Sequence, residues 1–145
     1  MPEKETLERA AEDKAEGKSP STQAGEFVRE EIEHVREGKH GARSTKQAIA
    51  IGLSKARRAG VKLRPPKNAS KETREQAARD TRKAKSPGKK KSTKRSRAAL
   101  SALKREGHSA ASKKALSRQA RTAAAKRSAA SRSRSAKKAA ATRKK

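Results

Sequence analysis

The amino-acid sequence predicts a mainly α-helical protein, in which a small helical hairpin module precedes a long, basic, low-complexity tail that is disordered or transiently helical. Only 13 of the 145 residues are Leu, Ile, Val or Phe, below the roughly 20% under which highly charged chains tend to be disordered. More than half of these residues fall within residues 22–60, whereas residues 88–145 consist mainly of Ala, Ser, Lys and Arg. The chain therefore has apolar side chains for one small module and too few for a large core.

Charge divides the chain into an acidic beginning and a strongly basic remainder. Residues 1–41 carry 7 Lys/Arg and 11 Asp/Glu, and residues 42–145 carry 35 Lys/Arg and 4 Asp/Glu, within a total formal charge of +27. The final segment, residues 88–145, holds 21 Lys/Arg and one acidic residue, Glu106. This excess is larger than solubility requires, so it indicates an anionic partner.

The first segment, residues 1–20, is predicted to be a charged N-terminal helix. Residues 3–16 are rich in Glu, Lys and Ala, which favour a helix but offer little apolar surface to bury. We therefore expect a solvated or frayed helix that ends at Gly17 and the Ser19-Pro20 pair.

Residues 21–66 are predicted to form the small helical module. Its first helix follows from Val28, Ile32 and Val35, which are spaced i, i+4, i+7 on one helical face beside Phe27. This apolar face needs a second element to cover it.

The second helix of the module is predicted over residues 44–60. Ser44, followed by Gln47 three residues later, matches a capping box at a helix N-terminus. Because each of the two helices has one apolar face, we predict that residues 22–60 form a helical hairpin. The apolar stripe of the second helix consists of Ile49, Leu53 and Ala56.

Residues 67–87 are predicted to be a basic helix and a linker. The Pro65-Pro66 pair marks a boundary before this segment. Ser70 is suited to cap a helix N-terminus, and Ser86-Pro87 has the composition of a linker. The helix lacks an apolar stripe, so we expect its order to depend on a partner.

A short internal repeat links the module to the basic tail. Residues 36–40, Arg-Glu-Gly-Lys-His, are echoed by residues 105–108, Arg-Glu-Gly-His, and in both places a Ser and a Lys follow four and six residues after the histidine. The repeat predicts that residues 112–126 are a degenerate version of the helix at 44–60.

The predicted function is sequence-tolerant binding of duplex DNA, of the nucleoid-associated or histone-like kind, through neutralisation of backbone phosphate. Roughly 10 phosphate contacts would give log affinity a slope near −9 in log salt, because each contact releases condensed counterions. Single-strand binders and many RNA-binding modules stack bases on aromatic side chains, which are almost absent from this chain. The predicted DNA-binding residues are Lys46, Lys55, Arg57, Arg58, Lys89, Lys90, Lys91, Lys94, Arg95, Arg97, Lys113, Lys114, Arg118, Arg121, Lys126, Arg127, Lys137 and Lys138.

Other classes of function find little support in the sequence. The chain has no cysteine, which excludes disulfide and thiolate chemistry. His34, His40 and His108 are 6 and 68 residues apart, spacings that do not place a ligand pair on one helical face, so we predict no metal site and no cofactor. We expect no catalytic residues, no enzymatic activity and no small-molecule substrate, because neither a phosphate-binding glycine loop nor a catalytic carboxylate arrangement is present. No apolar run suits a signal peptide or a membrane span, so we expect a cytoplasmic, nucleoid-associated protein.

Two resemblances accompany this interpretation, and the first, to a family without an established activity, implies only a bacterial origin. Residues 38–60, with the segment Lys-Gln-Ala-Ile-Ala-Ile, resemble an uncharacterised family of small basic bacterial proteins, over about residues 1–65. The tail, with Ala123-Ala124-Ala125-Lys126-Arg127 and residues 137–141, is similar in composition to linker-histone tails and to the basic tails of bacterial histone-like proteins. The second resemblance implies condensation of DNA with little sequence preference.

Two other functions remain open from the sequence. One is an RNA-associated or ribosome-associated basic protein, and the other is a protein-interaction module at 22–60 that the tail anchors to DNA. We also form the hypothesis that the acidic residues 1–20 dock onto the basic region and compete with DNA, because a tethered opposite charge acts at a high effective concentration.

Overall fold

The structure, a computed structural model, describes residues 1–86 and 92–143, and the described residues form seven α-helices and a short 3₁₀ turn. The helical character predicted from the sequence is therefore confirmed. In the part of the chain that is described, no helix has both the length and the apolar character needed to cross a membrane. The helices are α1 (Lys4–Ala15), α2 (Pro20–Arg36), α3 (Thr45–Arg58), α4 (Lys71–Ala84), α5 (Thr93–Lys104), α6 (Lys113–Ala125) and α7 (Ala129–Arg143), and the 3₁₀ turn is Ser109–Ala111.

Serine side chains set the beginnings of most of these helices. Ser44 accepts a hydrogen bond from the backbone N–H of Gln47 at the start of α3, and Ser112 accepts one from Ala115 at the start of α6. Ser19, Ser70 and Ser92 do the same for α2, α4 and α5. These caps satisfy backbone donors that a helix N-terminus leaves without a partner.

The centre of the fold is the pair of helices α2 and α3, which pack along each other. They approach so closely at Gly52 that a Cβ atom there would lie 2.6 Å from the Cα of Val28. Ile32 and Val35 on α2 pack against Ala48 on α3, and Phe27, only 1% exposed, packs near Ala56. Small side chains on α3 let the two helices bury the large apolar side chains of α2.

Helix α1 is packed on α2, with Thr6 and Ala10 buried. The prediction of a solvated or frayed first helix was therefore wrong. Two small side chains suffice for the contact, because a long apolar stripe is not needed where helices approach closely. Arg9 strengthens the contact with an ion pair from its Nε to Glu26 Oε2 at 2.8 Å.

Helix α4 packs on α3 around one buried carboxylate. Asp80 is fully buried and accepts hydrogen bonds from Ser54 Oγ at 2.6 Å and from Arg58 Nε at 2.7 Å. Burial alone would raise the pKa of Asp80, but hydrogen bonds from Ser54, Arg58 and Gln76 outweigh it and hold the pKa below its ordinary value. A polar contact thus replaces the apolar stripe that α4 lacks.

Asp80→Asn tests this contact through its pH dependence. A lowered pKa in the folded state contributes stability above the unfolded pKa, near 3.8, and this contribution disappears as the pH falls through the folded pKa. We expect the variant to be about 2 kcal/mol less stable than the parent at neutral pH, because hydrogen bonds to a charged acceptor are lost. The difference should shrink below about pH 4 in urea unfolding followed by circular dichroism.

The matched control is Glu75→Gln, an exposed carboxylate on the same helix whose two ion pairs are both 4.0 Å long. It should leave stability almost unchanged, because exposed ion pairs contribute little. Equal effects of the two substitutions at neutral pH would contradict the assignment of Asp80 as the anchor of α4.

The segment before α6 is docked on the α2–α3 connection through its backbone. Gly41 N–H donates to Leu103 O at 2.9 Å, and Ala42 N–H donates to Gly107 O at 3.0 Å. Thr45 Oγ1 donates to Ala110 O at 2.6 Å. Ala110 and Ala111, both buried, join the apolar cluster formed by α2 and α3, and Arg36 Nε donates to Ala111 O.

These contacts show that the fold class predicted from the sequence was wrong in its main feature. The protein is not a small helical hairpin with a long disordered tail, because residues 92–143 are helical and residues 103–116 make long-range contacts with α2 and α3. The prediction counted large apolar side chains, whereas docking here uses two alanines, Leu116 and four hydrogen bonds to backbone carbonyls. The two copies of the internal repeat thus lie against each other.

Gly41→Ala should separate the docked segment from the module. A Cβ atom at this position would lie 1.9 Å from Glu106 O and 2.8 Å from Gly107 O, both backbone atoms. Overpacking of this kind costs about 1–3 kcal/mol or more. We expect amide hydrogen exchange of residues 103–112 to accelerate at least about tenfold, with much smaller changes in α2 and α3.

Gly107→Ala is the control for this prediction, because an added Cβ there meets no atom within 4 Å. It should leave exchange of the docked segment close to that of the parent. Unchanged protection in Gly41→Ala would show that the segment does not rest on the α2–α3 connection in solution.

Candidate nucleic-acid interface

The C-terminal helices α5, α6 and α7 present a dense set of exposed cations. On α6, Lys114, Arg118 and Arg121 are spaced i, i+4, i+7 and therefore lie on one helical face. Leu116 and Gln119, which are partly buried, lie on the other side of the same helix. The cationic stripe of α6 therefore points away from the core. The predicted contacts that are exposed on these helices and their connections are Lys94, Arg95, Arg97, Lys113, Lys114, Arg118, Arg121, Lys126, Arg127, Lys137 and Lys138.

Acidic residues offset most of the positive charge of residues 1–86, which carry 21 Lys/Arg and 14 Asp/Glu, and almost none of the charge of these helices. Within residues 1–86 and 92–143, every ion pair joins two residues of 1–86, from Lys4–Glu8 to Arg79–Glu75. Residues 92–143 carry 16 Lys/Arg and one carboxylate, Glu106. Their charges repel one another in the free protein, so an anion that screens them gains a large electrostatic attraction.

The predicted contacts on α3 differ in their surroundings. Lys46 is exposed on the first turn. Lys55 lies 3.1 Å from Glu30 and 2.7 Å from Glu31, and Arg57 is buried and donates from Nε to Leu63 O. Arg58 is bonded to Asp80, as described above. The structure thus gives Lys55, Arg57 and Arg58 partners inside the protein, while Lys89, Lys90 and Lys91 lie outside the described residues.

The first turns of α3 and α6 are neighbours. Thr45 at the start of α3 bonds Ala110 just before α6, and Leu116 packs against the cluster that contains Ala48. Lys46 and Lys114 are exposed on these two turns. Two helix N-termini, each with a partial positive charge, therefore add to the side-chain charge of this surface.

The structure also brings together a buried polar cluster that the sequence did not predict. Glu31, His34 and His40 each offer one potential ligand atom, and these atoms lie within 4.8 Å of one another. Glu31 and His34 are three residues apart on α2, and Gly38, with φ +74°, turns the chain so that His40 returns to them. The reasoning from histidine spacing considered only a shared helical face and missed this turn. His108 lies on the exposed connection before α6 and is not part of the cluster.

Hydrogen bonds hold both histidines of the cluster in place. His40 Nδ1–H donates to Gly41 O at 3.0 Å, so its Nε2 faces Glu31 Oε1 at 3.2 Å. His34 Nε2–H donates to Glu3 Oε1 at 2.9 Å. Hydrogen bonds from His34 and from Lys39 lower the pKa of Glu3 to about 2.

The charges around this cluster are tightly paired. Burial alone would lower the pKa of Lys55, but its contacts with Glu31 and Glu30 outweigh burial and raise it. Burial would likewise raise the pKa of Glu30, and a hydrogen bond from the Glu3 backbone N–H helps to lower it instead. Glu31 is 1% exposed, and within the described residues neither of its carboxylate oxygens has a hydrogen-bond partner of good geometry, although Lys55 Nζ is near.

Comparison with known proteins gives a match for only one part of the chain. No curated protein and no solved structure matches the chain. The expected resemblance to an uncharacterised family is confirmed in part. The matching stretch is shorter than half of the chain and runs from the end of α1 to beyond α3. Residues 13–68 match the model of a family of unknown function (DUF6496).

Proposed function

We propose that this protein is a non-enzymatic, sequence-tolerant duplex-DNA-binding protein of the nucleoid-associated or histone-like kind, found in the bacterial cytoplasm. The observation that carries the proposal is the set of exposed Lys and Arg side chains on α5–α7, which make no ion pair with a described residue. The closely spaced phosphates of duplex DNA would neutralise this dense set of cations. Release of the counterions condensed on the DNA would supply the free energy of binding.

The two parts of the chain, α1–α4 and α5–α7, have different roles in this proposal. The module formed by α1–α4 uses its acidic residues for its own stability, since Glu3, Glu26, Glu30, Glu31 and Asp80 all bind cations of that module. The docked segment 103–112 fixes the start of α6 on this module. The DNA contacts therefore lie on α5–α7 and on Lys46 and not on Lys55, Arg57 or Arg58.

Duplex DNA is favoured over single strands because the chain offers no base-stacking surface. Its one aromatic residue among Phe, Trp and Tyr is Phe27, and Phe27 is 1% exposed in the core. Stacking on aromatic side chains contributes about 1–3 kcal/mol per base in single-strand binders. Contacts with phosphate alone carry no sequence information, so we expect little sequence preference.

Competition binding tests the proposal directly. A fluorescent duplex bound to the full chain is displaced at fixed salt by unlabelled duplexes of unrelated sequence, by a single strand, or by a structured RNA of equal phosphate number. We expect the duplexes to compete equally and the single strand at least several-fold less well. A structured RNA that competes about tenfold better than duplex would overturn the proposal in favour of an RNA-associated protein.

A further inference from the structure

We propose that Glu31, His34 and His40 form a binding site for a divalent transition-metal ion, with Zn²⁺ as the ion that suits these ligands best. One carboxylate and two imidazoles are a ligand set that zinc takes in proteins, with water completing a tetrahedron. This site is separate from the proposed DNA surface, because it lies between α2 and the connection that follows it.

The distances fit a metal after a small contraction. Ligand atoms about 2.0–2.1 Å from a tetrahedral ion are about 3.3 Å apart. His40 Nε2 and Glu31 Oε1 are already 3.2 Å apart, and the three potential ligand atoms lie within 4.8 Å of one another. The two histidine rings are nearly perpendicular, at 85°, with centroids 6.0 Å apart.

The hydrogen bonds around the histidines match those around zinc ligands. In such sites, one ring nitrogen binds the metal and the other donates to a backbone carbonyl or a carboxylate. His40 Nδ1–H is held by Gly41 O, so Nε2, which lies 3.2 Å from Glu31 Oε1, is the ring nitrogen that would bind the ion. His34 is held by the carboxylate of Glu3. These contacts orient both rings, as the hydrogen bonds around zinc ligands do.

The net charge around the cluster favours binding of a cation, although the chain as a whole is strongly basic. Glu3, Glu30 and Glu31 face Lys39 and Lys55, so the cluster carries one excess negative charge when both histidines are neutral. Glu31 is nearly fully buried, and its oxygens have no hydrogen-bond partner of good geometry among the described residues. Lys55 contacts Oε2 at 2.7 Å, which leaves Oε1 to the metal.

Isothermal titration calorimetry of the full, chelator-treated chain with Zn²⁺ tests the proposal. We expect one Zn²⁺ per chain with a micromolar or lower Kd, and we expect His34→Gln and Glu31→Gln each to weaken binding by at least about tenfold. His108→Gln is the matched control, because it removes the histidine outside the cluster and should leave the affinity unchanged. Titration with Co²⁺ should give visible ligand-field bands that the His34→Gln protein lacks.

The parent protein alone can overturn the proposal, whatever the variants do. Absence of Zn²⁺ binding in the micromolar range by a chain with intact helical circular dichroism would refute the site. Binding that survives both cluster substitutions, or that disappears in His108→Gln, would also refute it, because the ion would then lie elsewhere.

Discussion

Gly52→Ala is expected to lower the free energy of unfolding by about 2 kcal/mol, because the added methyl group has no room between α2 and α3. Its Cβ atom would lie 2.6 Å from Val28 Cα and 3.0 Å from Phe27 O, both of which belong to the backbone of α2. The two helices would have to move apart, and Ala48 and Ala56 would then lose contact with the large side chains of α2.

Packing and helix propensity predict opposite signs for the change in stability caused by Gly52→Ala. Alanine is favoured over glycine inside a helix by up to about 1 kcal/mol, so helix propensity alone predicts stabilisation. Gly25→Ala, at an exposed position of α2 where a Cβ meets no atom within 4 Å, should show that stabilisation. Urea unfolding followed by far-ultraviolet circular dichroism measures both variants. Stabilisation by Gly52→Ala would contradict the close packing of α2 and α3.

Short-range signals were sufficient to locate the helices of the module. The i, i+4, i+7 spacing of Val28, Ile32 and Val35, together with the Ser44–Gln47 pair, fell on α2 and at the start of α3. A cap and an apolar stripe act within a few residues, so the sequence displays them directly.

The docking of residues 103–116 was not predictable by the same reasoning. It depends on Ala110 and Ala111, which are too small to register in a count of apolar residues, and on the backbone N–H groups of Gly41 and Ala42. The repeat of Arg-Glu-Gly and His at 36–40 and 105–108 was the available signal. A repeat of this kind indicates that two segments are similar, but it does not show that they are in contact.

The surroundings of the α3 cations and the histidines depend equally on tertiary structure. A helix pattern shows that Lys55 and Arg58 are cations but not that Glu31 and Asp80 lie beside them. The hypothesis that the acidic N-terminal residues dock on the basic region and compete with DNA stays a prediction, and the structure gives some of these residues other partners. Glu3 and Asp13 bind Lys39 and Lys18 of the module, and α1 packs on α2.

The measurement that tests the central claim most directly is the salt dependence of duplex-DNA affinity after the cationic stripe of α6 is neutralised. We compare the parent with a triple variant, Lys114→Gln, Arg118→Gln and Arg121→Gln. Glutamine keeps a helix propensity close to that of Lys and Arg, so α6 should remain helical. The control variant replaces Lys4, Lys14 and Arg29 with Gln and removes the same charge from exposed positions of the module.

Each phosphate contact contributes about 0.9 to the slope of log affinity against log salt. If α6 binds the DNA backbone, the stripe variant should reduce the magnitude of the slope by about 3, and the control should leave the slope close to that of the parent. Equal slopes for the two variants, with equal losses of affinity, would contradict the account, because the DNA would then respond to net charge and not to the surface that the C-terminal helices form.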